Sequence, residues 1–208
     1  MVAGQLRDRG IDDERVLAAM GRVPREAFLD EGDRPRAYED APIAIGFGQT
    51  MSQPFMVALI AQAADVRPGR KILDVGTGSG YAAAVLADLG AEVHSIERIP
   101  ELAERATDRL GAAGYAGVRV HVGDGSLGVP EAAPFDAITV AAAAPRLPLT
   151  LYEQLVLGGR LVVPIGRRHT QRLEIAIRSP EGPAVLHSVP CRFVPLVGER
   201  GYRRSGRR

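Results

Sequence analysis

The chain has a single cysteine, almost no net charge and no long apolar run, and each shortage excludes a class of protein. Cys191 has no second cysteine to pair with among 208 residues, so a fold that depends on internal disulfides is excluded. Its apolar neighbours predict a packed thiol. The histidines lack the spacing of metal ligands, and we expect no metal site from His94, His121, His169 and His187.

The charge balance and the hydropathy predict location and partners. The formal net charge is +1, which predicts no general attraction to nucleic acid or to a membrane surface. No apolar run approaches the roughly 18 residues that cross a bilayer, and the N-terminus lacks the basic start and apolar core of a signal peptide. We therefore predict a soluble, cytoplasmic monomer. A solvated end is expected from Arg203, Arg204, Arg207 and Arg208.

The hydrophobic pattern predicts one α/β domain over residues 1–208. With 46% hydrophobic residues, the chain can form one core and is too short for two. Its first part, residues 1–64, predicts a helix from Asp12 to Met20, a helical turn from Val23 to Phe28, a loop from Asp30 to Thr50, and a helix that follows Ser52 and ends near Ala64.

The remaining chain predicts the sheet. A middle part, residues 65–179, alternates strands with helical stretches, and a last part, residues 180–208, supplies one more strand and the basic tail. The strands are expected near 71–75, 91–97, 118–122, 135–141 and 159–165, with a closing hairpin of 172–179 and 184–194. Such alternation predicts a mostly parallel, doubly wound sheet with helices on both faces.

A glycine-rich turn after the first of these strands is the most informative motif. Gly76, Gly78 and Gly80 lead into an Ala-rich helix that begins at Tyr81. Dinucleotide-binding turns carry G-x-G-x-x-G, and Tyr81 stands where the last glycine would be. The acidic Asp74 would repel a pyrophosphate but suits the cationic amino acid end of S-adenosylmethionine. The spacing favours a methyl donor, although a glycine turn can also be purely structural.

Two further strand ends carry a carboxylate. Glu97 ends the second strand, where an acidic side chain can accept from ribose hydroxyls in either cofactor class. Asp124, between Gly123 and Gly125, comes after the third strand and is placed to accept from an adenine amino group. Taken singly, Glu97 can be a solvated partner of Arg98 and Asp124 a turn residue. Three such strand ends in series favour a nucleoside site.

The segment at the end of the fourth strand disfavours one class of methyltransferase. Methyltransferases that act on nucleobase amines commonly carry Asn/Asp-Pro-Pro-aromatic where this chain has Ala141-Ala-Ala-Ala-Pro145. Base N-methylation is therefore disfavoured. Hydroxyls occur instead at Thr50 and Ser52, in the constrained segment 38–54. Local chemistry alone predicts Ser52 as the N-cap of the helix after it.

Seven segments that occur in order along the chain give a resemblance to a known family. They are Val23-Pro-Arg-Glu, Tyr38-Glu-Asp, Ile45-Gly-Phe-Gly-Gln-Thr-Met-Ser52, Leu73-Asp-Val-Gly-Thr-Gly-Ser-Gly-Tyr81, Ser95-Ile-Glu-Arg98, Val122-Gly-Asp-Gly125 and Val194-Pro-Leu-Val-Gly198. In these segments the chain resembles the protein-L-isoaspartate O-methyltransferase family, from about Val16 to Gly201. The resemblance implies a Rossmann-like class I fold with S-adenosylmethionine as cofactor and S-adenosylhomocysteine as product.

The same resemblance implies roles for individual residues. Ser52 matches the residue regarded as the active-site residue of the family. A groove for isoaspartyl-containing proteins and peptides would be walled by Ile45, Gly46, Leu196 and Val197. The cofactor-binding set would be Thr50, Asp74, Gly76, Thr77, Gly78, Gly80, Glu97, Arg98, Gly123, Asp124 and Gly125.

The implied reaction agrees with a site that is poor in bases. The accepting α-carboxylate has a pKa of about 3.5 to 4 and is already ionised at neutral pH, so the Ser52 hydroxyl need only orient it. The ester would collapse to a succinimide that reopens partly to aspartate, which implies protein repair. Alternatives are a related carboxyl O-methyltransferase with a dedicated peptide or small-molecule substrate, a non-catalytic cofactor-binding regulator, and a nicotinamide dehydrogenase, which Tyr81 disfavours.

Overall fold

The computed structural model describes residues 1–167 and 170–203. Three of the four predicted tail arginines, Arg204, Arg207 and Arg208, lie outside the described residues, as does His169. The chain begins with short π and 3₁₀ turns, Val2–Leu6 and Arg7–Arg9, and continues into helix α1, Glu14–Arg22. Asp13 caps α1, because its carboxylate accepts from Arg15 N–H at 2.9 Å.

The segment from Asp30 to Thr50, predicted as a loop, contains regular structure, so that prediction is wrong. After a 3₁₀ turn at Arg25–Phe28, a second one at Glu31–Arg36 leads to a hairpin of strands β1, Ile43–Gly46, and β2, Gln49–Met51. The hairpin is antiparallel and separate from the main sheet. Strands of four and three residues are too short for their alternation to stand out in the sequence.

Helix α2, Pro54–Ala63, comes after the hairpin, and its start corrects a second prediction. Gln53 precedes the first turn, and no side chain at that position caps the helix. Pro54 has no N–H, and the next amide, Phe55 N–H, donates to the Asp40 carboxylate at 3.4 Å. Ser52 is therefore not the N-cap, since a carboxylate from a preceding segment serves the helix end.

Seven strands form the main sheet, with helices between them. In chain order these elements are β3, Lys71–Val75; α3, Tyr81–Asp88; β4, Glu92–Glu97; α4, Pro100–Ala112; β5, Arg119–Val122; β6, Phe135–Val140; α5, Leu149–Tyr152; β7, Leu155–Arg167; β8, Thr170–Ser179; and β9, Gly182–Cys191. Within the described residues the strand order is β5-β4-β3-β6-β7-β8-β9. The pairs from β5 to β7 are parallel, and β8 and β9 form an antiparallel hairpin. The predicted fold class is confirmed.

The two faces of the sheet are covered unequally. On one face, side chains such as Ile72 and Ala137 pack against α1, α2, α3 and α4 in the larger hydrophobic cluster. On the other face, Leu73 and Ile138 belong to a smaller cluster with the four-residue α5. None of the described helices has the length and apolar character needed to span a bilayer.

The connections place a crevice at the centre of the sheet. From β3 the chain proceeds outward through β4 to β5, and then returns to β6 on the other side of β3. Ligands of open α/β sheets bind at such a reversal, outside the carboxyl ends of the strands.

Candidate active site

Three neighbouring strands place polar side chains side by side at this crevice. Asp74 on β3 is in register with Ser95 on β4 and Thr139 on β6. The Ser95 and Thr139 hydroxyls donate to the two carboxylate oxygens of Asp74 at 2.8 and 3.2 Å, and Ser95 Oγ lies 2.6 Å from Thr77 Oγ1. Strand register therefore assembles a polar site around Asp74 from three separate segments.

Asp74 is a buried carboxylate without a cationic partner. Its residue is 1% exposed, and no basic side chain of the described chain forms an ion pair with it. Burial raises the pKa of Asp74 to about 6, even though the two hydroxyl donors favour the ionised form. A site of this kind is stabilised by a ligand that brings a positive charge to the carboxylate.

The glycine turn runs from β3 to α3 past the end of β4. Gly76 has a φ of 97°, and a Cβ there would lie 3.4 Å from Ala141 Cβ, so the turn passes close to the end of β6. Gly78 N–H and Ile99 N–H each donate to one oxygen of Glu97 at 3.0 Å. The Glu97 carboxylate is thus held by backbone on both oxygens and keeps acceptor capacity for ligand hydroxyls.

Asp124 is tied to the C-terminal part of the chain. Its carboxylate accepts from Ser126 N–H at 2.9 Å, from Ser126 Oγ at 2.7 Å and from Glu199 N–H at 2.7 Å. Burial alone would raise the pKa of Asp124, but the Glu199 and Ser126 hydrogen bonds outweigh it, and the pKa is lowered. Asp124 therefore holds residues 198–200 against the segment that follows β5. Its predicted contact with an adenine amino group stays a prediction.

Ser52 lies between the hairpin and α2, held from behind by a buried arginine. Arg25 Nη2 donates to the Ser52 carbonyl at 2.6 Å, and Arg25 Nε donates to the Ala37 carbonyl at 2.6 Å. The guanidinium carbon lies 4.8 Å from the Tyr81 ring centroid. Ser52 Oγ itself makes no hydrogen bond to the described residues, so the hydroxyl is available to a ligand while its backbone is fixed.

Arg25 is a site residue that sequence reasoning missed. It is fully buried without a carboxylate partner among the described residues, its Nη1 has no hydrogen bond, and burial lowers its pKa to about 10. It connects the N-terminal extension, the backbone of Ser52 and the first residue of α3. No clear signal marks Arg25 in the sequence, because Glu26 follows it directly and two adjacent opposite charges are usually exposed to solvent.

Three cavities meet at Ala141. The largest, a cleft of about 1010 Å³, lies between the start of α2 and residues 189–195, with Ser52 and Thr50 in its wall. A second, of about 60 Å³, lies against the glycine turn, and a third, of about 30 Å³, contains both Ser52 and Asp74. Ser52 therefore faces the large cleft on one side and the Asp74 cavity on the other.

The predicted site residues divide among these spaces. Eight line the cavity at the glycine turn: Thr50, Gly76, Gly78, Glu97, Arg98, Gly125, Leu196 and Val197. Four other predicted cofactor residues line none of the three cavities: Thr77, whose hydroxyl bonds Ser95, Gly80 at the start of α3, Gly123 and Asp124.

The predicted groove residues lie elsewhere than along the large cleft. Leu196 and Val197 face the cavity at the glycine turn. Ile45 is buried, with its Cδ1 beside Gly78, and Gly46 lies next to Arg105. The wall of the large cleft is instead residues 189–195, where the Gln171 side chain accepts from Phe193 N–H at 2.7 Å and donates to Phe193 O at 3.2 Å.

Comparison with known proteins gives concordant matches. Residues 1–201 match the family model described as protein-L-isoaspartate(D-aspartate) O-methyltransferase (PCMT). A Gloeobacter violaceus protein named protein-L-isoaspartate O-methyltransferase is 51% identical over 96% of this chain and 98% of its own. A Marinobacter nauticus protein, protein-L-isoaspartate O-methyltransferase 2, is 54% identical over 97% of this chain and 93% of its own.

A solved structure agrees with the fold over nearly the whole chain. The beta-aspartate methyltransferase (PCMT) from Plasmodium falciparum, in complex with S-adenosyl-L-homocysteine, superposes with a TM-score of 0.81 at 27% identity. The superposition covers 93% of this chain and 95% of that one. The similarity therefore extends over almost the whole of both chains.

Proposed function

Because this chain belongs to the protein-L-isoaspartate(D-aspartate) O-methyltransferase family, we propose that Ser52 orients the carboxylate that accepts the methyl group. The chain is an S-adenosylmethionine-dependent enzyme that methylates the free α-carboxylate of isoaspartyl residues in damaged proteins, which initiates repair through a succinimide.

The residues around the glycine turn fit S-adenosylmethionine. Asp74 is buried and lacks a cation among the described residues, which suits the amino acid end of this cofactor. Glu97 keeps acceptor capacity for the ribose hydroxyls, and Gly76 and Gly78 leave room for the ligand beside the backbone. When bound, the cofactor supplies an electrophilic methyl group on a sulfonium, which needs no metal. The same proposal assigns Thr50, Thr77, Gly80, Arg98, Gly123, Asp124 and Gly125 to its binding or support.

The position of Ser52 carries the proposal. Its Oγ has no hydrogen-bond partner among the described residues, and Ser52 lines both the large cleft and the cavity that contains Asp74. A hydroxyl at that border could donate to a carboxylate oxygen and orient it toward the cavity in which Asp74 would hold the amino acid end of the cofactor. No base is required, since the accepting carboxylate is ionised at neutral pH.

Methyl transfer to two matched peptides tests the proposal. The peptides would be identical except for one isoaspartyl or aspartyl linkage, with labelled S-adenosylmethionine as donor. We expect a base-labile ester on the isoaspartyl peptide alone, and slower transfer in Ser52→Ala with cofactor affinity unchanged. Cofactor binding without transfer to either peptide would favour a dedicated substrate instead. A Ser52→Ala variant with unchanged kcat would contradict the role of Ser52.

Location, oligomeric state, partners and domain organisation are inferred from the sequence. We infer a cytoplasmic monomer, and the formal net charge of +1 supports the further inference that it binds neither nucleic acid nor membrane. We also infer one domain over residues 1–208. Its parts are a substrate and active-site segment, 1–64, a cofactor-binding core, 65–179, and a C-terminal strand with a basic tail, 180–208. Light scattering at several protein concentrations tests the monomer, and a dimer mass would contradict it.

A further inference from the structure

The large cleft has walls whose charged side chains are all basic. Among the described residues, the two ionised side chains that line it are Arg9 and Arg192, and no Asp or Glu lines it. The residues outside the described part, 168–169 and 204–208, contain no Asp or Glu either.

Arg192 is the freer of the two cations. It is exposed, lies directly after β9, and forms no ion pair with the described residues. Its backbone position is fixed by its neighbour, because both backbone polar groups of Phe193 bond the side chain of Gln171. An exposed guanidinium on a fixed wall is available to a carboxylate of the ligand.

Arg9 is partly neutralised. Its Nη1 pairs with the Asp40 carboxylate, and its guanidinium carbon lies 3.7 Å from the centroid of the Phe55 ring. Phe55 is the second residue of α2, three positions after Ser52. Arg9 is therefore held beside the reacting end of the cleft but contributes less free charge than Arg192.

From these walls we propose that the cleft selects isoaspartyl segments with acidic flanking residues, with Arg192 as the specificity-determining residue. This inference rests on the proposed function and adds a charge preference to it. A cleft of about 1010 Å³ holds more than the isoaspartyl residue alone, so its walls contact flanking side chains. Flanking carboxylates meet cations there, and flanking lysines meet like charge.

Three isoaspartyl peptides test the preference. They share one sequence except that the residues on either side of the isoaspartyl linkage are Glu, Gln or Lys. Because exposed charge contacts are weak, we expect KM to rise by about twofold to fivefold from Glu to Gln and again from Gln to Lys, with kcat nearly constant. Raising the ionic strength tenfold should reduce the differences in KM among the three peptides, since exposed charges are screened.

Variants separate a local effect from the net charge of the protein. Arg192→Gln should reduce the differences in KM among the three peptides. Arg192→Glu should reverse their order, so that the Lys peptide has the lowest KM. The matched control is Arg67→Gln, which removes the same charge at the opposite end of the sheet, in the loop before β3, where Arg67 pairs with Asp65. The Arg67→Gln variant should show the same differences in KM among the three peptides as the unaltered protein.

The outcomes distinguish this inference from the function on which it rests. If the Gln peptide is methylated and KM does not depend on flanking charge, the preference is wrong and the repair activity stands. If Arg192→Gln and Arg67→Gln reduce the differences in KM among the peptides equally, Arg192 is not the specificity-determining residue. If none of the three peptides is methylated, the proposed function and the preference fall together.

Discussion

The proposed cofactor side and the proposed substrate side of the site are built in different ways. On the cofactor side, Asp74, Ser95 and Thr139 project from adjacent strands whose register brings them together. On the substrate side, the walls are the hairpin, the start of α2 and residues 189–195, which are held by side chains that bond to backbone, such as Gln171 and Arg25. The first arrangement depends on the sheet, and the second depends on a few individual contacts.

This difference predicts how each side responds to substitution. A change on the cofactor side should alter cofactor affinity and leave the peptide KM unchanged. A change on the substrate side should alter kcat or KM for the peptide and leave cofactor affinity unchanged. A variant that moves both quantities would mark a residue that couples the two sides.

The largest effect is expected for Asp74→Ala. Removal of one member of a buried charge pair costs at least about 2 kcal/mol, so cofactor affinity should fall about 30-fold or more. Asp74→Asn keeps an acceptor oxygen without the charge and should show most of that loss. Calorimetric titration with S-adenosylhomocysteine measures it, with Asp108→Ala on the exposed side of α4 as the matched control. A loss below threefold would remove Asp74 from the cofactor site.

Ser52→Ala is expected to have the next largest effect, on the opposite side. Loss of a hydrogen bond from a neutral donor to a carboxylate costs roughly 1.5–3 kcal/mol, or about ten- to a hundredfold in kcat. Cofactor affinity should not change. The control is Ser179→Ala, at the β8–β9 turn, where the hydroxyl bonds only its own turn among the described residues. Reduced cofactor affinity in Ser52→Ala would place Ser52 on the cofactor side instead.

The two sides also differ in how far sequence can predict them. The strand of Lys71–Val75, the glycine turn and the helix from Tyr81 are contiguous and periodic, and the structure has them at the predicted residues. The contacts of Ser95 and Thr139 with Asp74 could not be predicted, because register between strands depends on the whole sheet.

The substrate side was predicted less well for a physical reason. Its hairpin is too short to show a period, and Asp40 replaces Ser52 at the start of α2 through a contact between residues fifteen positions apart. The resemblance named Ser52 without showing that Arg25 holds it. Contacts between a side chain and a distant backbone group leave no periodic trace in the sequence.

Arg25→Met should change both catalysis and the stability of the fold. It removes donors from the Ser52 and Ala37 carbonyls and the cation beside the Tyr81 ring. We expect kcat to fall about tenfold and the free energy of unfolding to fall by about 2–4 kcal/mol, because two carbonyl groups lose their partner. Arg25→Lys should recover part of both quantities.

Steady-state kinetics and chemical denaturation of the same preparations measure the Arg25 effects. Arg36→Met, on the exposed 3₁₀ turn, is the control. A variant that is destabilised but keeps its kcat would reduce Arg25 to a structural role. Unchanged stability would show that the guanidinium contacts contribute little.

The pH dependence of cofactor binding should follow Asp74. The pKa of this group is raised to about 6, so below that pH the carboxyl is protonated and cannot pair with a cation. Affinity should be constant above about pH 7 and fall about tenfold for each pH unit below 6, and Asp74→Asn should flatten the profile. Without cofactor the sign is opposite: the folded state binds the extra proton, so this group lowers the free energy of unfolding as pH rises from about 4 to 6. A profile that Asp74→Asn does not flatten would assign the titration to another group.

The smallest effect is expected for Gln171→Leu, which tests whether single contacts hold the substrate wall. Gln171 is buried on β8, and its amide pairs with both backbone groups of Phe193. Loss of these bonds should let residues 192–194 shift and raise the peptide KM about fivefold, at roughly 1 kcal/mol, with cofactor affinity unchanged. Gln154→Leu is the contrasting variant, because Gln154 makes similar contacts with the backbone of Val129 and Leu127, in the segment between β5 and β6. If both variants raise KM equally, the wall depends on the stability of the whole fold and not on the Gln171 contact.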